Sequence, residues 1–363
     1  MSQIIRASVQ VGPRKHELRE FPRPQIGDDD GLMRVEACGV CGSDVEQYED
    51  SRGRRAVGIP GHEPLGIIEE IGPRASERWG VKAGDRVALE SFLPCMSCDM
   101  CARDDVMACR SGSFGYGYTP LDRAPSLWGG YAEYVYLHPN TLLHKVRNDL
   151  RPEVAVLYNP LGAGVRWATH LGGVTAGETI LVLGCGQRGI TSVIAAKAAG
   201  AGTIIVTGLE RDAAKLALAK EFGADHTINV EAEDTLERVK EITDGKLCDI
   251  ALDVTPLALA PVDHALKSIR RGGRVVFAGL KGGREMPFRP DDVIQKGATV
   301  IGAYGVDSRA YAEAIAIIES EKFPLAKLHT HSFGLDDTAR AIETLAGHVP
   351  GETAVCVSVL PNG

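Results

Sequence analysis

Short strand-like runs, most of them apolar, recur through the second half of the chain, at 179–183, 203–207, 226–229, 250–254, 274–278 and 299–303. Val, Ile and Leu dominate several of them without polar alternation, the pattern of parallel strands buried on both faces. The stretches between them, 190–199, 211–222, 234–243 and 261–270, read as helices. Strands alternating with helices predict a doubly wound α/β sheet over 156–304. The first part of the chain is different. Residues 1–155 carry β-like runs, such as 32–37, 65–71 and 86–89, set off by Gly and Pro turns. The tail, 305–363, has amphipathic helices at 309–319 and 335–346 and a strand-like 353–359.

The chain has 363 residues, 44% hydrophobic and 24% charged. That suits two domains and is too long for one ordinary core. The 40 Lys and Arg against 48 Asp and Glu leave a formal charge of −8. An acidic chain is a poor match for nucleic acid or an anionic membrane, so neither is expected as a partner. No apolar run is long enough to span a bilayer. Residues 1–10 lack a basic stretch followed by an apolar one. With no secretion signal in view, the expected setting is the cytoplasm.

The cysteines change the picture. There are nine, an odd number, strongly clustered, which argues against a disulfide framework. Cys95, Cys98, Cys101 and Cys109 share one short polar loop with Pro94, Ser97, Asp99, Arg103, Asp104 and Asp105. Buried thiols scatter over apolar segments, so this loop reads as a metal site. Four thiolates suit a tetrahedral zinc and leave no position for substrate, which makes the site structural. An iron–sulfur cluster is the rival occupant. A different set lies upstream. Cys41 belongs to Cys38-Gly39-Val40-Cys41-Gly42-Ser43-Asp44, and His62 and Glu63 to Gly61-His62-Glu63-Pro64-Leu65-Gly66. A thiolate, an imidazole and a carboxylate from two loops make a catalytic type of metal set, with one position open.

Directly after 179–183 comes Gly184-Cys185-Gly186-Gln187-Arg188-Gly189. Between a strand and a helix, G-x-G-x-x-G is the spacing of a dinucleotide loop. The glycines permit a tight turn and close approach of a pyrophosphate. The helix start offers N–H groups and a positive dipole end. NAD enzymes usually place an acid at the end of the next strand to hold the ribose diol. Gly208 stands there instead, which favours a 2′-phosphate. Glu210 works the other way, and Arg211 either pairs with a phosphate or is a surface charge. The choice between NAD and NADP stays open.

Together these pieces resemble the zinc-dependent medium-chain alcohol dehydrogenases, of the sorbitol and threonine dehydrogenase kind. Further matches are Gly84-Asp85-Arg86-Val87 and Gly129-Gly130-Tyr131-Ala132-Glu133-Tyr134. The matches keep the family's order over most of the chain. The resemblance implies a GroES-like mostly-β catalytic domain of 1–155 and 305–363, and a Rossmann domain of 156–304. The active site is then expected in the cleft between the domains. The resemblance puts a catalytic zinc on Cys41 and His62, with Glu63 bound directly or just behind it. Ser43 would take the alcohol proton from the metal, and Asp44 would hold the His62 ring. Cys38 would be packing. The implied reaction is reversible hydride transfer between a small alcohol, or its carbonyl product, and NAD or NADP. A homodimer or homotetramer is implied, its cofactor domains paired along 299–303.

Two departures from the family pattern stand out. Asn159 holds the place where sorbitol-type members carry a glutamate, and a neutral amide is a poor zinc ligand beside a carboxylate. Either water fills the gap or Glu63 binds more firmly. Glu46 stands where many members have a histidine that passes the proton to solvent. A carboxylate of raised pKa does the same work; a plain exposed Glu is the equal alternative. Phe92, Tyr116, Tyr118 and Trp128 line the pocket or simply pack. With 114–118 they hint faintly at an apolar or aromatic alcohol. Two other functions stay open: a zinc-independent reductase of activated C=C bonds, and a non-enzymatic NADPH-binding relative.

Overall fold

A computed structural model describes residues 3–50, 57–111 and 115–363. The chain divides into two units, Met1–Asn159 with Leu325–Gly363, and Pro160–Pro324. The boundaries expected at 155/156 and 304/305 thus fall a few residues and a whole helix later. The helix Ser308–Glu319 goes with the second unit for a physical reason. His170 Nε2 lies 2.9 Å from Glu313 Oε2, Trp167 Nε1 donates to the Gly305 carbonyl at 3.2 Å, and Arg166 pairs with Asp307.

In the first unit, the sheet runs in the order His329–Phe333, Cys356–Val359, Gly31–Val40, Glu63–Ile71, Arg86–Leu89, Leu143–Val146. Tyr134–Leu137 also pairs with Gly31–Val40. A hairpin of Ile4–Gly12 and Lys15–Pro22 adds a second, two-stranded sheet. The core holds Ile5, Val9, Leu32, Val35, Trp128, Tyr131 and Val357. Only Cys356–Val359 and the less regular His329–Phe333 bring the tail into this sheet, whereas Gly31–Val40 forms its spine. The Arg86 guanidinium is buried. It pairs with Glu36 at 2.7 and 3.1 Å and donates to the Arg147 and Leu150 carbonyls. Breaking such a buried pair costs about 3–5 kcal/mol. The Gly84–Val87 match is therefore a brace of the sheet and lies outside the chemistry.

In the second unit, six parallel strands run in the order His226–Asn229, Thr203–Gly208, Thr179–Leu183, Cys248–Asp253, Ile269–Phe277, Thr299–Gly302. Helices Gln187–Ala198, Ala213–Glu221, Thr235–Ile242 and Ala260–Ser268 connect them. Leu181, Ile205, Ile228, Val239, Ala251 and Val275 form its core. The strand order reverses between Thr179–Leu183 and Cys248–Asp253, the place where open sheets of this kind bind ligands. No helix among the described residues is long and apolar enough to cross a membrane.

Candidate functional site

Strand Gly31–Val40 runs straight into the helix Gly42–Glu49, with Cys41 at the junction. Gly39 pairs with Glu63 and Cys38 with Pro64 across the antiparallel ladder, so Cys41 comes to face His62 and Glu63. One ligand atom from each of the three lies within 4.8 Å of the others, and all three residues are buried. His62 Nε2 is 3.7 Å from Glu63 Oε1, close to the roughly 3.4 Å that a shared tetrahedral zinc would impose. Gly39 makes room for the carboxylate: a Cβ there would lie 2.3 Å from Glu63 Oε2.

Asp44 ties the set together. Its Oδ2 accepts the Cys41 backbone N–H at 2.8 Å, and its Oδ1 lies 3.3 Å from His62 Nδ1. That contact leaves Nε2 for the thiol, the carboxylate and any ion between them. Ser43 Oγ lies 3.3 Å from the same Nε2. Ser91 Oγ donates to the His62 carbonyl at 2.8 Å and holds the backbone. Burial opposes a charge on His62, but Tyr118 and Asp44 outweigh it and raise its pKa well above the ordinary value.

The remaining expected residues are more scattered. Cys38 fills a hollow made by glycines: a Cβ at Gly130 or Gly61 would come 2.5 or 2.9 Å from its Sγ. Glu46 is exposed on the Gly42–Glu49 helix. Asn159 is buried beside Tyr158, whose hydroxyl oxygen lies 3.0 and 2.8 Å from the Pro64 and Leu89 carbonyls, the one hydroxyl hydrogen shared between them. Tyr116 and Trp128 belong to the core of the first unit, their polar ends engaged by Thr141 and the Arg123 carbonyl. Phe92 is half-buried. Phe114 lies outside the described residues.

The four-cysteine lobe has the metrics of one ion. Its four sulfur atoms all lie within 4.8 Å of one another. Cys101 Sγ is 3.9 Å from Cys95 Sγ and 3.6 Å from Cys98 Sγ. Zn–S bonds of about 2.3 Å in a tetrahedron place sulfurs about 3.8 Å apart. A multi-iron cluster would push the thiolates further apart, so the rival occupant does not fit. Hydrogen bonds from Ser97 hold the Cys95 thiol down to about 5. Burial, then Cys98 and Cys109, push Cys101 up to about 12. A cation among the four sulfurs would let all of them ionise.

In the second unit, Gly184 takes φ +108° and Gly186 an extended conformation at the start of Gln187–Ala198. A Cβ at Gly189 would lie 2.0 Å from the Gly184 carbonyl, whereas one at Gly186 would meet nothing within 4 Å. Gly189 therefore closes the loop on itself, and Gly186 keeps a cradle open above it. Thr207 Oγ1 accepts from Gly184 N–H at 3.2 Å and ties the loop to the next strand. Gly208 has a packing reason that no local motif reveals. A Cβ there would lie 2.6 Å from Cys185 Sγ and 3.0 Å from Leu216. Glu210 is exposed and accepts from Asn229 Nδ2, while its N–H donates to Glu231 at 2.7 Å. Arg211 is exposed and makes no hydrogen bond or ion pair among the described residues.

Metal content should read near two zincs per chain and near one in Cys41→Ala, by elemental analysis after gentle purification. Gly39→Ala should lose the same ion, because the new methyl displaces Glu63; two retained zincs would refute that account. The two loop glycines should part company. Gly186→Val should keep the melting temperature yet weaken NADH or NADPH binding by about 10-fold or more, read by cofactor fluorescence. Gly189→Ala should lower both.

Residues 27–148 match the alcohol dehydrogenase GroES-like domain, and residues 188–320 match the zinc-binding dehydrogenase domain. A probable alcohol dehydrogenase of Mycobacterium tuberculosis is 46% identical over 353 residues, 96% of each chain. An erythritol/L-threitol dehydrogenase of Mycolicibacterium smegmatis is 32% identical over 370 residues, 98% of each chain. Among solved structures, a Sinorhizobium meliloti protein with bound NADP superposes with a TM-score of 0.86 at 25% identity, over 99% of this chain and 100% of that one. With these two domains in this order and two metal-ligand sets on the first unit, the chain belongs to the zinc-dependent alcohol dehydrogenases of the medium-chain dehydrogenase/reductase family.

Proposed function

We propose that the chain oxidises a primary or secondary alcohol reversibly to its carbonyl compound, with NAD or NADP as hydride partner, using Cys41, His62 and Glu63 as its catalytic zinc ligands. One observation carries this reading: two unlike donor sets sit on one unit, four thiols in the lobe and a buried thiol, imidazole and carboxylate. Three protein ligands leave a coordination position for a substrate oxygen. Bound zinc supplies Lewis acidity that lets an alcohol lose its proton near neutral pH, and bound nicotinamide accepts the hydride. Asn159 adds no charge to the set, so Glu63 serves as the direct carboxylate ligand. Asp44 holds the imidazole and the Cys41 backbone in register. The Ser43 hydroxyl takes the alcohol proton on its lone pair as its own proton leaves toward Glu46, exposed one turn further along the helix, and so reaches water. Gly184, Gly186, Gln187, Arg188 and Gly189 cradle the diphosphate, and Gly208, Glu210 and Arg211 meet the adenosine ribose. Reduction of an activated C=C bond would give such a buried ligand set nothing to do.

The second unit is proposed to pair with another copy along Thr299–Gly302, an edge strand of its sheet. Val300 is exposed on it, and Ile294 and Tyr304 are exposed just before and after. An uncovered apolar edge is an invitation to pair. The opposite edge, His226–Asn229, leads into Glu231 and Glu233 instead. A cytoplasmic setting is proposed on the nine cysteines, none of them in a disulfide, which suits a reducing compartment.

The test of activity is a panel of benzyl alcohol, 2-butanol and sorbitol with each nicotinamide, on zinc-replete protein. At least one pair should yield reduced cofactor, and Cys41→Ala should abolish it. No oxidation by protein carrying two zincs would sink the reading in favour of enone reduction. Light scattering should give twice the 38.7 kDa chain mass, or a multiple, and Val300→Lys should reduce it. A monomeric wild type would overturn the pairing.

A further inference from the structure

Tyr118 lies over the His62 ring, with ring centroids 5.2 Å apart and planes 32° from parallel. Its hydroxyl donates to Ser43 Oγ at 3.3 Å. Ser43 Oγ is itself 3.3 Å from His62 Nε2, and Asp44 faces the other ring nitrogen. In the neutral ring, the form that can bind a metal, Nδ1–H serves Asp44 and Nε2 is an acceptor, to which Ser43 gives the one hydrogen a hydroxyl owns. The chain of donors is Tyr118 to Ser43 to His62.

An ion on Nε2 would remove the acceptor for Ser43. Tyr118 would not be affected, because it occupies a different lone pair of Oγ. A serine hydroxyl with no fixed partner turns among three staggered positions. One that accepts from a mostly buried phenol keeps one orientation, with its second lone pair free for the proton of the reacting alcohol and its own hydrogen free to leave toward solvent. We propose that Tyr118 is a positioning residue for Ser43, aiming the proton-accepting hydroxyl at the substrate oxygen. This rests on the role given to Ser43 under Proposed function. Tyr118 keeps its own proton throughout. It acts through Ser43 and not as a ligand.

The experiment is a double-mutant cycle of Tyr118→Phe, Ser43→Ala and the pair, measured with benzyl alcohol on zinc-replete enzyme. Zinc content and the visible spectrum of the cobalt-substituted protein are followed in parallel. Tyr118→Phe should lower kcat about 10-fold, with KM within about twofold. It should enlarge the solvent deuterium isotope effect on kcat. The pair should be no slower than Ser43→Ala alone, the non-additivity of residues acting as one. Zinc content and the cobalt spectrum should not move. A kcat within about twofold of wild type in Tyr118→Phe, or losses that simply multiply in the pair, would refute the inference while leaving the Ser43 role intact. So would loss of one zinc or a shifted cobalt spectrum, which would make Tyr118 a support of the metal ligands. An undiminished Ser43→Ala enzyme would overturn both the role of Ser43 and the inference built on it.

Discussion

Everything at the metal-ligand set of the first unit depends on one close approach. Where Gly31–Val40 ends, Gly39 stands opposite Glu63 in the antiparallel ladder, and the absence of a side chain at 39 admits the carboxylate. The same pairing carries Cys41 to His62, because each residue lies just beyond its strand on the same side of the ladder. A shift of one residue would turn these side chains to the other face of the sheet. The register is held by the buried faces of both strands, so the stability of the core and the geometry of the site are one constraint.

Around that approach the polar groups are arranged to leave a positive charge wanted and nothing else. Asp44 engages the Cys41 N–H and the outer nitrogen of His62, while Ser91 holds the His62 carbonyl. Burial makes each of these contacts stronger than it would be in water and makes an uncompensated carboxylate or thiolate costly. The lobe of Cys95, Cys98, Cys101 and Cys109 solves the same problem with no opening for substrate. One chain thus carries one metal-ligand set closed by four thiols and another of three residues that leaves a position open.

The nucleotide unit shows how one glycine can answer two demands. Gly208 lacks the acid that usually holds a ribose diol, yet its first reason for being glycine is steric: Cys185 and Leu216 fill the space above it. An acid placed there would collide with the fingerprint loop itself. The carboxylate nearest in sequence, Glu210, is exposed and tied to Asn229 from the neighbouring strand.

Cys41 is linked to His62 and Glu63, on a separate loop, only by the family resemblance and by strand pairing. By itself the sequence marked the class of the second unit, the four-thiol loop and the glycine loop of dinucleotide spacing. Each depends on local periods and spacings that survive without tertiary context: apolar runs, four thiols on one loop, G-x-G-x-x-G after a strand. Less was legible where contacts are long-range. The hairpin Ile4–Gly12 with Lys15–Pro22 was not evident, because its second strand is largely exposed and shows no clean alternation. His329–Phe333 was hidden for a similar reason, being polar and defined only by its pairing with Cys356–Val359. The helix Ser308–Glu319 was read correctly as a helix, but its allegiance to the second unit came from Arg166, Trp167 and His170, far away in sequence. The tertiary structure alone decided that Gly39 must be small, that Gly208 is packed by a thiol, and that Tyr118 reaches Ser43. In each case the cause is a contact between residues distant along the chain, and the spacing of residues along one segment carries no information about which distant segment will meet it.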